Sequence, residues 1–541
     1  MVIEKVVLNR TAMTAWGLVT ASLAIGTACA LPECATAAVP ASAGESIYLR
    51  GVLGSGAPLA GTRENAGTST QGADAACVNC HQRSGLGSTE GSLSIPPITS
   101  DYLFHGHGQG GDAPPLPDVE SMHGNRSAYT PATLARAIRE GVDSEGRTLS
   151  SLMPRYALDD ADMGALVEYL KSLAVHRVPG VTPSVLHIAT IFTPDADPVK
   201  RRGVLDVLEH YMVEQRFSPG KRRWQLHVWQ LAGPATTWQA QLEQNLHREP
   251  VFAVLSGLGG SDWGPVHDFC EQNAIPCLFP NVEVPVASDG DFYSLYFSKG
   301  VLLEAELIGT ELARLARDAP HLAVVQVYRA GDSGQAAAHV LTTKLREHGL
   351  SVRDQILTAG GASGRGVAAA LREAGKADAL VLWFRPDDIA ALGSPPAVRH
   401  VYLSGLMGGL EVIPLPASWR RVARLAYPFD TPDHRGAQLD YPLGWFSFRK
   451  IPIVAEQVQV DTYLACSLMT EVSQRLANSY VRPYLIEQLQ GMVEHGLVTG
   501  YYPHLTLGYR QQFASKGGYI ARLTEEHGTV QVVADSAWIV P

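Results

Sequence analysis

Cysteine, net charge and long apolar runs are all scarce in this chain. Only 7 of 541 residues are cysteine, too few for a disulfide scaffold, which relies on dense cross-links. Charged residues make up 18% and the formal net charge is −10, whereas bulk nucleic-acid binding needs a basic footprint. Beyond residue 30 no stretch supplies the ~18 uninterrupted apolar residues of a membrane span. No Walker sequence occurs. Gly257-Leu258-Gly259-Gly260-Ser261-Asp262 opens like a dinucleotide fingerprint but lacks the final glycine, which removes the nicotinamide reading. Nor does Ser261 sit in a G-x-S-x-G elbow, because Trp263 stands at the last glycine position. What remains is an ordinary globular composition, 46% hydrophobic, and room for about two to four domains.

At the start, Lys5 and Arg10 precede an apolar stretch from Ala15 to Ala30, with Ala28-Cys29-Ala30 and Ala35-Thr36-Ala37 as cleavage sites. That order reads as a secretory signal peptide over residues 1–37, with an uncleaved anchor as the alternative. Export predicts an oxidising compartment, a bacterial periplasm, and no transmembrane span after cleavage.

The rest divides in three. Residues 44–177 begin loop-rich, then carry two expected helices, at 131–140 and 159–173. The second places Met163, Leu166, Val167, Leu170 and Leu173 on one face, with Asp159 as N-cap. Residues 178–183 (VPGVTP) read as a linker. From Ser184 short apolar strands alternate with amphipathic helices: strands near 185–192, 225–231 and 251–255 each precede a helix, and the rhythm resumes after Gly300. Such alternation signals parallel sheets covered by helices, and the pause at 292–300 divides them into two lobes.

Cys77-Val78-Asn79-Cys80-His81 is C-x-x-C-H, the attachment motif of haem c. Two thiols one helical turn apart can add to the two haem vinyl groups, and the adjacent imidazole then reaches the iron. A structural zinc site would need two further ligands, and His105 and His107 are only one residue apart. A thioredoxin-like pair would sit in a βαβ unit, which does not surround it. For the sixth ligand, Met153 stands in a loop (SLMPRY) off any helical core face; Met122, His105, His107 and His123 are rivals.

With the C-V-N-C-H site, Ile95-Pro96-Pro97-Ile98, Leu152-Met153-Pro154 and a terminal helix ending Tyr169-Leu170-Lys171-Ser172-Leu173, the first piece resembles a class I c-type cytochrome. The resemblance implies a small all-α domain with one covalent haem c on Cys77 and Cys80. It implies His81 and Met153 as axial ligands and a Pro97 carbonyl orienting the His81 ring. Filled axial positions favour electron transfer over catalysis. The glycine-rich approach, Gly54 to Gly72, departs from the compact family pattern.

Residues 184–541 resemble the type I periplasmic solute-binding fold, closest to the branched-chain amino acid and amide-binding family. The likeness rests on Ser256-Gly257-Leu258-Gly259-Gly260-Ser261, Ile275-Pro276-Cys277-Leu278-Phe279-Pro280, Phe292-Tyr293-Ser294-Leu295-Tyr296-Phe297 and the late stretch from Leu505 to Ile520. In open α/β sheets a ligand sits beyond the carboxyl ends of the strands. That places Ser256, Gly257, Ser261 and Asp262 around a carboxylate, Asp332 and Ser333 around an amino group, and Trp383, Arg385 and Ser404 at later strand ends. Ser261, Asp332 and Ser333 serve equally well as helix caps. Cys270 and Cys277 bracket a helix end and the next strand and form a candidate disulfide; Cys466 reads as a buried hydrophobe.

The expected function is a periplasmic one-electron carrier with a fused module that senses a small molecule between its lobes or docks a partner. Its redox partner would be a protein such as a periplasmic dehydrogenase or terminal oxidase chain. The alternatives are a substrate-binding protein of an ABC importer for an amino-acid-like or amide solute with an ancillary haem, and a haem enzyme, which Met153 disfavours.

Overall fold

In a computed structural model of the chain the described residues are 42–541, apart from 64–67, 91–92, 106–125, 174–177, 216–221, 320, 358–363, 410–414, 477–478, 495–496 and 527–528. The expected leader lies outside them, as do His107, Met122 and His123.

The first helix, Ala43–Arg50, starts where the Ser42 hydroxyl accepts the Glu45 N–H, and Gly51 closes it at φ 64°. It lies directly on the helix Asp160–Ser172: a Cβ on Gly44 would stand 2.1 Å from the Ala165 carbonyl oxygen. The Tyr48 and Tyr169 rings meet at 5.2 Å. Asp159 caps the second helix by accepting the Asp162 N–H, and Met163, Leu166, Val167 and Leu170 form its buried face. The third long helix, Pro131–Glu140, has Pro at its first position and a Thr130–Thr133 capping box. Together these helices close a core around Ile47, Tyr48, Leu59, Leu134, Ile138 and Leu166.

This domain is not all-α. Ala60–Thr62 pairs antiparallel with both Ser69–Gln71 and Arg155–Tyr156, and Ser88–Glu90 forms a hairpin with Leu93–Ile95. The glycine-rich approach cannot hold a helix cheaply. Its backbone groups instead find partners in a ladder with the segment that follows Met153.

The linker is fastened to the second domain. Gly180, at φ 87°, lies so close to the strand region that a Cβ there would be 2.1 Å from the Phe252 nitrogen, and its carbonyl accepts the His187 N–H at 2.8 Å.

From Val185 two seven-stranded sheets follow among the described residues, beside a small two-stranded pair of Leu497–Thr499 with Tyr502–Leu505. In the first lobe seven strands are paired in parallel, with Val185–Phe192 central between Arg223–Gln230 and Ala253–Leu255. The second lobe orders Val352–Leu357, Val324–Arg329, Ala379–Leu382, His400–Ser404 and Ala423–Tyr427 in parallel, and Tyr519–Glu526 and Thr529–Ala534 extend it antiparallel. After Tyr427 the chain returns to the first lobe: the helix Glu456–Arg475 packs there, its Thr470 hydroxyl 3.1 Å from that of Tyr211. It then comes back to the second lobe for Tyr519. The crossing strands brace one another, since Tyr296 exchanges hydrogen bonds with Gln512 and Ala514 at 2.7 and 3.0 Å. The Asp430 N–H likewise donates to the Tyr501 carbonyl at 2.9 Å.

Candidate functional site

Cys77 opens a single helical turn, Val78–His81, in which the His81 N–H donates to the Cys77 carbonyl at 2.9 Å. One turn therefore carries both thiols and the imidazole. Gln82, at φ 61°, ends it. The Gln82 carbonyl accepts from the Tyr48 hydroxyl at 2.7 Å, so the first helix fixes the exit. Tyr156, three residues after Met153, donates to the Ala75 carbonyl at 3.0 Å and ties the methionine loop to the approach of the motif. Met153 is half-buried against the domain core.

Burial pushes the Cys77 thiol up to about 12, the opposite of the lowered pKa a dithiol redox centre needs. Burial holds the His81 imidazole below its ordinary range, with the Pro96 carbonyl pulling the other way. The His81 Nδ1 lies 3.0 Å from that carbonyl oxygen, which leaves Nε2 as the nitrogen able to ligate. The Thr70 and Thr99 hydroxyl oxygens, in segments flanking the motif, are buried without a hydrogen-bond partner. Two thiols on one turn, an oriented imidazole and a half-buried thioether fit a haem c.

The loop that follows His81 is docked on the second domain. The Ser84 N–H and hydroxyl both donate to the Glu487 carboxylate, at 2.8 and 2.6 Å. Arg83 stacks its guanidinium over Phe292 and Tyr293, 4.7 and 5.8 Å from the ring centroids. Leu86, 7% exposed, joins the apolar cluster of the two-lobed domain. The receiving strand is rigidly held, because the Glu271 carboxylate accepts the N–H groups of Phe292, Tyr293 and Ser294 at 2.8–3.2 Å. Glu271, His267 and Asp291 are close enough to hold a metal ion. They are already engaged: His267 contacts Asp291 at 2.9 Å and the Tyr296 hydroxyl at 3.2 Å.

Between the lobes lies a cleft of about 840 Å³, lined among others by Asp195, Ser261, Glu283, Phe297, Asp332, Arg385, Phe429, Asp461 and Tyr502. Arg385 closes one side. Its guanidinium donates to Glu283 at 2.7 Å through both terminal nitrogens and to Asp332 at 2.5 and 3.0 Å. Burial works against the Glu283 charge, but the Arg385 hydrogen bonds win and hold its carboxyl below the ordinary range.

Two comparisons with known proteins bear on these domains. Residues 70–174 match the cytochrome c family. The two-lobed domain aligns with solved ABC-transporter substrate-binding proteins. A fatty acid ABC transporter substrate-binding protein from Thermomonospora curvata is 18% identical, with 68% of this chain and 95% of that chain covered and a TM-score of 0.51. A solute-binding protein from Rhodopseudomonas palustris in complex with 3,4-dihydroxy benzoic acid is 11% identical, covering 66% and 97%, at 0.51. A branched-chain amino acid ABC transporter protein from Thermus thermophilus with bound valine is 14% identical, covering 66% and 97%, at 0.50. At these identities the likeness is one of fold. No curated protein matches the chain. A cytochrome c segment joined to a type I periplasmic-binding fold is the fusion that the sequence motifs imply. The match to the cytochrome c family implies haem c for the segment. No described helix is long and apolar enough to cross a membrane.

Several expected residues stand elsewhere than the sequence suggests. In the cytochrome c segment it is the exposed Pro96 whose carbonyl meets His81, not the buried Pro97. His105 is exposed, 4.0 Å from Asp101. In the cleft, Ser261 and Asp332 are lining residues, whereas Ser256, Gly257, Asp262, Ser333, Trp383 and Ser404 are not. Ser256 is buried and bonded to Thr462 and Asn281; Gly257 is pressed against Trp263 and the Ile191 carbonyl. The Trp383 indole donates to Gln326, the Ser404 hydroxyl to Glu304, and the Ser333 hydroxyl to Glu283. Asp262 caps Gly264.

The expected carboxylate cradle is filled from within: the Ser261 N–H donates to Asp195 Oδ2 at 3.1 Å, and a Cβ on Gly260 would lie 2.2 Å from that oxygen. Asp332, the expected amine partner, is held by Arg385. Cys270 and Cys277 are buried free thiols rather than a disulfide, packed as small apolar side chains beside Trp229 and Phe269. Sequence reasoning missed Asp461, although a lone acid among Val458, Val460 and Leu464 was its signal.

Proposed function

We infer that the protein is an exported one-electron carrier whose haem-bearing segment is mounted on a ligand-binding module. A single haem c would be held covalently by Cys77 and Cys80, and His81 Nε2 and Met153 Sδ would hold its iron. When bound, that group supplies a reversible one-electron couple. The chain's own residues do the rest. Pro96 orients the imidazole, Tyr48 and Tyr156 hold the motif's exit and approach, and an iron held by both His81 and Met153 would leave no ligand position for substrate, which favours a carrier over an enzyme. The supporting observation is the docking of Arg83, Ser84 and Leu86 on Phe292, Tyr293 and Glu487. The residues immediately after His81 rest on the strand that runs on to Phe297 and Ser298 in the cleft wall. Cleft occupancy thus has a short mechanical route to the haem-bearing loop.

The test is a reduced-minus-oxidised spectrum and a potential titration of the full chain, with and without cleft ligands, beside Met153→Ala. A c-type spectrum that changes on loss of Met153, with a potential that shifts on ligand binding, is the expected result. A spectrum indifferent to Met153→Ala refutes the axial assignment. The second reading, an importer's substrate-binding protein with an ancillary haem, is favoured by the fold's likeness to ABC-transporter substrate-binding proteins. It predicts ligand delivery to an importer with no effect of ligand on the potential.

A further inference from the structure

The cleft differs from an amino-acid site in both of its charged contacts. Where a ligand carboxylate would meet the backbone N–H groups of the Gly260–Ser261 loop, Asp195 already sits. Where a ligand ammonium would meet Asp332, Arg385 already pairs with it. The same arginine is held by Glu283, so it offers no free cation to an incoming carboxylate. Among the buried polar side-chain atoms of the described lining, one is without a hydrogen-bond partner. Asp461 is 2% exposed and lines the cleft, its Oδ2 accepts from Gln457 Nε2 at 2.5 Å and the Tyr502 hydroxyl at 3.0 Å, and its Oδ1 has no hydrogen-bond partner. A buried carboxylate oxygen without a donor is costly and is relieved by a ligand that brings one.

The surroundings of that oxygen say what kind of donor. Tyr502 packs against Phe297 and Phe429 with centroids at 5.6 and 5.4 Å, and all three rings line the cleft. Aromatic faces beside a carboxylate attract a cation through the ring quadrupole while burying an apolar body. We propose that the cleft binds an organic ammonium: a protonated amine with an apolar or aromatic body and no carboxylate. Its N–H donates to Asp461 Oδ1, and its body lies against Phe297, Phe429 and Tyr502. The assignment names the ligand class of the module in the function inferred above and rests on that reading.

Isothermal titration of the full-length holoprotein with phenethylamine and isobutylamine tests it, with leucine and benzoate as carboxylate probes and tetramethylammonium as a cation without a donor. The amines bind, the carboxylates do not, and tetramethylammonium binds more weakly than either amine. Asp461→Asn weakens amine binding about tenfold or more. Tyr502→Phe, which keeps the ring and removes one hydrogen bond to Asp461, weakens it less. Unchanged far-ultraviolet circular dichroism and haem spectra certify the fold of both variants. Binding of leucine or benzoate with no binding of the amines overturns the proposal, as does full amine affinity in Asp461→Asn or no binding of any probe. The electron-carrier reading is judged separately by the spectrum and potential, so amine binding without a potential shift sinks the coupling and leaves the ligand class standing.

Discussion

Replacing Glu487 by alanine tests whether the cytochrome c segment is held on the two-lobed domain by the contacts described above. Glu487 accepts two hydrogen bonds from Ser84, one from the backbone N–H and one from the hydroxyl. Ser84 is 4% exposed, so loss of the carboxylate leaves a buried N–H with no replacement in water's reach. Hydrogen bonds to a charged group contribute about 1.5–3 kcal/mol each, and they are not additive when they share one acceptor. We therefore expect a loss of ~2–3 kcal/mol, a factor of roughly 30–150 in the docked population. Arg83 over Phe292 and the burial of Leu86 remain, so docking weakens without vanishing. Equilibrium denaturation followed at once by haem absorbance and tryptophan fluorescence reads this out. In the native protein the two signals fall together; in Glu487→Ala the haem signal moves first. A double-mutant cycle with Ser84→Ala isolates the pair. Burial pushes the Glu487 carboxyl up to about 7, so the coupling is larger at pH 8, where both oxygens accept, than at pH 6. A variant within about 0.5 kcal/mol of the native protein and a cycle near zero would refute the docking argument.

Three further outcomes follow from the same contacts. Arg385→Ala removes the guanidinium that bridges Glu283 and Asp332; because that guanidinium is partly exposed, we expect a loss of about 1–3 kcal/mol at pH 7 by thermal denaturation, and an unchanged melting temperature refutes it. Burial raises the carboxyls of Glu304 to about 8 and of Asp461 and Glu487 to about 7. The folded protein then keeps protons that the unfolded chain has released, so stability falls as pH rises from 6.5 to 8, by at most ~1.4 kcal/mol per unit for each group still titrating. A melting temperature that is flat or rising across that window contradicts it. Gly44→Ala pushes a methyl into the Ala165 carbonyl, separates the first helix from Asp160–Ser172, and costs about 1–3 kcal/mol, seen as a lowered thermal transition of the haem signal.

What the sequence discloses is what local chemistry determines. The helices Pro131–Glu140 and Asp160–Ser172 are legible because Thr130 and Asp159 mark their starts and apolar residues recur at helical spacing. The strand Val185–Phe192 is legible as a mostly apolar, β-branched run interrupted only by His187 and Thr190. The small sheet of the first domain is not, since Gly61 pairs with both Thr70 and Tyr156, and nothing local announces a partner so distant in the chain. The same limit explains the cleft residues. Ser256, Trp383 and Ser404 stand near strand ends, where ligands bind in such folds. Their polar atoms are instead satisfied by Thr462, Gln326 and Glu304, which lie on elements far away in sequence. Pro96 and Pro97 are indistinguishable as carbonyl donors of a lone pair until the chain path past Gly87 decides which one faces His81.

Asp195 gives the loop at Gly260 and Ser261 a property that outlasts any one ligand. A carboxylate tethered at contact distance acts as an intramolecular competitor, present at an effective concentration of about millimolar or more. An external acid must first expel it, and the expelled group would then stand as a second negative charge in the same crevice. The loop keeps the form of an anion cradle while being permanently full. A single side chain can in this way close an anion-binding loop while leaving the fold and the rest of the cleft as they are.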